Sequence, residues 1–209
     1  MRKLITIISS LLLITTVSAK AEIGIGITGA LHMIDGSGTE TTRQSNQVNN
    51  GSHDEDAEVI EIFIEAINDN GLALGLSYIP TRDMGSKSRS DTNSEGDTGT
   101  YTAKAELDNV VKLYTDIPVG PLYVHFGVQH VTLATLETLN SGASYPDQSL
   151  YGATIGLGKK GDLPFGTNLY YKGEVTYTDF ETYKGIGAGN TVEADLEDTA
   201  VRLSIGYKF

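Results

Sequence analysis

VRLSIGYKF, residues 201–209, alternates without a break. Val201, Leu203, Ile205, Tyr207 and Phe209 are apolar or aromatic, and Arg202, Ser204, Gly206 and Lys208 lie between them. A period of two is the side-chain period of a β-strand. The stretch therefore predicts a strand with one greasy face and one small or charged face, and an aromatic residue closes it.

The same pattern recurs upstream and predicts eight strands, near 22–33, 57–67, 71–79, 100–116, 121–135, 149–159, 167–180 and 196–209. Their apolar series are Ile23, Ile25, Ile27, Leu31 and Met33; Ile60, Ile62 and Ile64; Leu72, Leu74, Leu76 and Tyr78; Tyr101, Ala103, Ala105, Leu107, Val111 and Leu113; Leu122, Val124, Phe126 and Val128; Tyr151, Ala153, Ile155 and Leu157; Leu169, Tyr171, Val175 and Tyr177; and the closing stretch. Helical periodicity is absent after the leader. Short links (NDNG 68–71, IPVGP 117–121, KKGDLPFG 159–166) take turns with long polar ones (34–56, 80–99, 136–148, 181–195). An even number of antiparallel strands with all long links at one end is the pattern of a membrane-spanning barrel.

The other face of the strands decides which side meets lipid. It carries Gly24, Gly26, Thr28 and Ala30, then Ala73, Gly75 and Ser77, then Gly152, Thr154, Gly156 and Gly158, then Ala200, Ser204 and Gly206. Glycine weakens strands, so a face turned to open water has no reason to be this small. A narrow lumen has one, because eight strands enclose only enough space for side chains to fill. The predicted fold is an all-β, eight-stranded antiparallel up-and-down transmembrane β-barrel. Its last strand pairs with its first, since open edges in hydrocarbon cost several kcal/mol per unpaired group.

The amino terminus reads as a leader. Arg2 and Lys3 precede the apolar run 4–17, and the small residues of VSA (17–19) and AKA (19–21) follow. This predicts a signal peptide over 1–21, cut after Ala19 or Ala21, and a barrel over 22–209. The formal charge of -12 becomes -15 on loss of Arg2, Lys3 and Lys20, because 1–21 holds no acidic residue. So acidic a chain is unsuited to nucleic acid. It has no cysteine, hence no disulfide framework.

Leader, eight alternating strands, asymmetric links and the ending IGYKF together resemble the small eight-stranded outer-membrane barrels of Gram-negative bacteria, the group of the OmpA membrane domain and OmpX. The resemblance is one of pattern over residues 22–209. It implies an outer-membrane monomer without cofactor, in contact with lipid and lipopolysaccharide and carried there by periplasmic chaperones. It also implies that Phe209, Tyr207, Ile205 and Leu203 form the signal read by the barrel-assembly machinery. The chain departs from the group in lacking tryptophan. Tyr78, Tyr101, Tyr151 and Tyr177, with Met33, are the expected upper girdle, and Tyr207 and Phe209 lie at the lower interface.

Several charged residues are expected to share the lumen: Arg202 at the centre, with Glu174 and Glu61 as favoured partners, and Lys172, Glu106, Asp108, Lys104 and Lys112 around them. Two readings stay open, a filled interior that satisfies its own charges and a gate in a narrow pore for small solutes or ions. His125 points inward by parity and His130 outward. His130 and Thr132 have the spacing of the His-x-Ser pair of outer-membrane lipid deacylases, but Thr stands for Ser and the strand offers no acidic partner. The polar links, including DGSGTE (35–40) and HDED (53–56), are candidates for surface ligands or calcium, although neither has a complete calcium-loop pattern. The expected role is structural or surface-interacting rather than catalytic.

Overall fold

The computed structural model describes residues 21–41, 46–91, 99–136, 144–164, 168–187 and 190–209. The expected leader lies outside the described residues, save for Ala21. Among the described residues ten strands form: β1 (Glu22–Thr41), β2 (Val48–Ile67), β3 (Ala73–Ile79), β4 (Arg82–Asp91), β5 (Gly99–Val119), β6 (Leu122–Thr135), β7 (Gln148–Asp162), β8 (Leu169–Phe180), β9 (Tyr183–Gly187) and β10 (Asn190–Lys208).

They make eight staves. The ring runs β1-β2-β3-β5-β6-β7-β8-β10 and closes by an additional β1–β10 pairing, antiparallel at each step. β4 continues the β3 stave along β5, and β9 continues the β8 stave along β10. The first break falls at Pro80–Thr81, where proline has no N–H to give a ladder. The closing register runs from Gly24 opposite Lys208 to Thr41 opposite Thr191, and Phe209 N donates to Ile23 O at 2.9 Å.

Ile25, Ile27, Ile62, Ile64, Leu76, Ile155, Leu157, Val175, Leu203 and Ile205 all stand exposed around the outside. In water a continuous apolar belt of this extent would be an aggregation surface; against hydrocarbon it is the expected coat of a barrel. Tyr78, Tyr151 and Tyr177 point outward at its upper edge. The Tyr101 side chain lies outside the described ones. At the lower edge Tyr207 and Phe209 are outward and meet edge-on at 4.9 Å.

Two expectations are corrected. Three of the long links, 34–56, 80–99 and 181–195, are largely strand among the described residues, not loop. β1 and β2 stay paired out to Thr41 and Val48, so the link expected over 34–56 is mostly a hairpin rising beyond the belt; β4 and β9 occupy much of two others. Backbone pairing favours this, because polar side chains on both faces do not prevent a ladder in water. The second correction concerns parity on β5. Asn109 adopts a left-handed φ of 53°, and the register shifts between Asp108 and Val111. This bulge reverses which residues face inward above it. Leu107 and Val110 are both buried, while Lys104, Glu106 and Asp108 leave the lumen.

Candidate functional site

The lumen is built in layers, because each stave contributes one inward residue every second position. At the turn end Phe63, Ile67, Ala73 and Tyr170 form a small apolar plug. Interleaved with it is a first charged layer, since Glu65 falls between Phe63 and Ile67 on β2 and Asp116 lies opposite Ala73. Glu65 from β2 receives Tyr114 Oη at 2.7 Å, Tyr170 Oη at 2.8 Å and Lys172 Nζ at 3.0 Å. Lys172 from β8 also donates to Asp116 Oδ2 at 2.6 Å, and its ammonium sits 4.8 Å from the Tyr114 ring centroid. His125 Nδ1 donates to Asp116 Oδ1 at 2.7 Å, and Tyr123 Oη donates to Glu174 Oε2 at 2.9 Å.

A second charged layer follows. Arg202 Nε from β10 donates to Glu61 Oε1 at 3.0 Å, and its Nη1 donates to Thr176 Oγ1. His32 lies between two carboxylates, with Nε2 3.0 Å from Glu61 Oε1 and Nδ1 2.8 Å from Asp198 Oδ2. Arg82 Nη1 donates to Asp198 Oδ2 at 3.2 Å. Two residues further along the staves the lining turns apolar. Ile34 follows His32, Leu196 precedes Asp198, Val131 follows Gln129 and Phe180 follows Thr178; with Ile79, Met84, Leu107, Val110, Leu133, Leu150 and Tyr183 they close the upper lumen.

The inward glycines make this filling possible. A Cβ at Gly75 would overlap the Tyr114 ring, one at Gly158 the Tyr123 ring, one at Gly24 or Gly206 the Tyr170 ring, and one at Gly26 the Phe63 ring. Each glycine therefore seats an aromatic ring flat against the wall, and the tyrosine hydroxyls are thereby aimed at Glu65 and Glu174.

The expected charged set is brought together only in part. Arg202, Glu61, Lys172, Glu174 and Lys112 are all buried in the lumen. Arg202 pairs with Glu61; Glu174 lies opposite Arg202 in register but binds Tyr123 and approaches His125 at 3.5 Å instead. Lys112 is buried near the Tyr114 ring. Lys104, Glu106 and Asp108 sit above the belt on the outer face. There Lys104 bridges Glu106 at 2.8 Å and Asp83 at 2.9 Å, and those bonds push the pKa of its ammonium up to about 12. Six lumen groups escape the sequence reading as partners: His32, Glu65, Arg82, Tyr114, Asp116 and Asp198. Arg82 falls in an expected loop, and Asp198 falls close to the expected end of one.

Among the described residues the lumen therefore holds five buried carboxylates (Glu61, Glu65, Asp116, Glu174, Asp198) and four cations (Arg82, Lys112, Lys172, Arg202), with His32 and His125 between them. Near-balance matters, since an unpaired buried charge costs several kcal/mol. Asp116, His125 and Glu174 bring three possible metal-ligand atoms within 4.8 Å of one another, but the Lys172 ammonium already holds Asp116. The free space between Thr28, Phe63, Lys112, Tyr114 and Arg202 is about 10 Å³, room for one water at most. On the outer face His130 packs edge-on against Tyr151 at 5.2 Å, and no carboxylate among the described residues pairs with it.

The chain matches no protein-family model, and no curated protein is similar to it in sequence. Solved structures are similar in fold. The outer membrane protein OprG from Pseudomonas aeruginosa superposes with a TM-score of 0.55 at 12% identity, covering 93% of this chain and 99% of that one. The outer membrane protein AlkL gives a TM-score of 0.48 at 12% identity, with 90% of each chain covered. Ail, the attachment invasion locus protein of Yersinia pestis, gives 0.41 at 12% identity, over 88% of this chain and 99% of that one. The chain thus has the fold of the small eight-stranded outer-membrane β-barrels.

Proposed function

We propose that this protein is a monomeric outer-membrane barrel that does its work outside its own lumen, as a structural and surface-interaction protein rather than a conduit or an enzyme. The filled interior carries this reading. Two cross-linked charged layers, the lower one interleaved with an apolar cluster, lie beneath an apolar cap, and the space between Thr28, Phe63, Lys112, Tyr114 and Arg202 holds one water at most. The β1–β2 hairpin supports it from the other side. β1 runs eight residues past Met33, to Thr41, carrying paired backbone about 25 Å along the strand beyond the girdle. That is a surface for a partner. Lipid and lipopolysaccharide surround the belt, and the outward row Leu203, Ile205, Tyr207 and Phe209 serves as the mark for the assembly machinery.

The test is conductance in a planar bilayer. The wild-type barrel should give no steps above the baseline at either polarity. Arg202→Ala removes the guanidinium that pairs with Glu61 and donates to Thr176, so it should lower stability by about 3–5 kcal/mol and admit brief openings. Steady wild-type conductance would remove the closed-barrel reading and favour the gated pore.

A further inference from the structure

The inward glycines Gly24, Gly26, Gly75, Gly152, Gly158 and Gly206 are accounted for by the rings seated on them; Gly29 and Gly173 have no such ring. Both face lipid, in one cross-strand row that reads Ile60, Gly29, Leu203, Gly173, Lys159. A Cβ on Gly29 would meet nothing within 4 Å, and one on Gly173 would meet only Leu203 Cδ2, at 3.5 Å. Packing does not require glycine at either place, and strand propensity disfavours it. The consequence is a ridge with notches: Leu203, between the two glycines, is 72% exposed.

On the Gly173 side the notch opens into a groove of about 350 Å³. Leu122 and Leu157 form one flank, Val201 and Leu203 the other, and Lys159 stands at its edge. Lys159 is exposed and, among the described residues, has no ion pair, whereas Lys104, Lys172, Lys184 and Lys208 all have carboxylate partners. A lysine on the lipid face is unfavourable unless it reaches the interface along its own stem. Gly173, opposite Lys159, lies two residues from Tyr171, and Tyr171 pairs with Ile205 next to the lower aromatic edge. The ammonium therefore reaches the headgroup level of the turn-end leaflet.

We infer that this groove is a binding site for a phospholipid of the turn-end leaflet, with one acyl chain laid over Gly173 against the Leu203 ridge and the headgroup phosphate held by Lys159. Charge complementarity selects the occupant: an apolar trough ending at a single unpaired cation fits one chain and one phosphate. The inference rests on the membrane-barrel reading, and its test separates the two.

The protein is folded in detergent, and a heat-dependent change in gel mobility establishes the closed barrel; its absence would remove the barrel reading itself. Native mass spectrometry then measures retained lipid after exposure to phosphatidylglycerol, and in a parallel arm to lipopolysaccharide. Wild type should keep one phosphatidylglycerol per barrel. Lys159→Gln should reduce retention at least fivefold, and Gly173→Leu should abolish it by filling the trough. Gly29→Leu, on the far side of Leu203, should retain as wild type does. Equal retention by all four barrels overturns the site, as does equal loss in Gly29→Leu and Gly173→Leu or preferential retention of lipopolysaccharide.

Discussion

Gly75 and Tyr114 illustrate how the lumen is specified at the scale of one residue. Tyr114 lies flat on Gly75, donates to Glu65 and lends its ring to Lys172. Gly75→Ala places a methyl where the ring is, with Cε1 only 2.7 Å away. The ring must tilt and release at least one of these contacts, an overpacking cost of about 1–3 kcal/mol. Urea unfolding of the bilayer-reconstituted barrel should show that loss. Gly51→Ala, where a Cβ meets nothing within 4 Å, should show none. The alternation of small residues in LALGLSYI is enough to make a crowded interior legible in the sequence. It does not reveal that Tyr114 is the residue crowding Gly75, because that follows from the β3–β5 register, in which Gly75 lies opposite Tyr114.

At the scale of the element, β5 is where the sequence reading fails, and the failure has one cause. Strict alternation carried through KAELDNVVKL puts Lys104, Glu106, Asp108 and Lys112 on a single face. The structure keeps only Lys112 inside. Asn109 takes a left-handed conformation, which asparagine tolerates better than most residues, and the extra residue turns Leu107 into the apolar cap. The adjacent pair Val110–Val111 is the available signal, since neighbouring apolar residues that face opposite sides break a period of two. Asn109→Gly should therefore be neutral or nearly so. Asn109→Val forces a β-branched residue into positive φ and should cost about 1–3 kcal/mol in the same unfolding assay. Deleting Asn109 would swing Glu106 and Asp108 into the cap, and the heat-modifiable folded band should be lost. The hairpin over 34–56 is hidden for a different reason. Its side chains are polar on both faces, so hydrophobic periodicity, the basis for reading strands, has nothing to register there.

Across the whole molecule the charge is unevenly placed: nearly balanced within the lumen, strongly negative just above the girdle. One row there joins four neighbouring staves, with Asp54 opposite Asp35, Asp35 opposite Glu197, and Glu197 opposite Asp179. All four side chains are exposed on the outer face. The Lys184–Glu193 bridge, at 2.6 Å, is the cation contact on β10 beyond this row, and it engages Glu193 rather than any of the four. Like charges directly opposite on a sheet oppose pairing by about 0.2–1 kcal/mol each. Ladder hydrogen bonds and closure of the ring outweigh this, so the row persists, but its repulsion remains in the total. Asp35 stands between two of the other three, and Asp35→Asn removes two repulsive pairs at once without changing side-chain volume. It should therefore raise the urea midpoint at low ionic strength. The gain should shrink as salt brings the Debye length down from about 30 Å at 0.01 M to about 3 Å at 1 M. A gain that persisted unchanged at high salt would mean that Asp35 opposes the fold through something other than its charge.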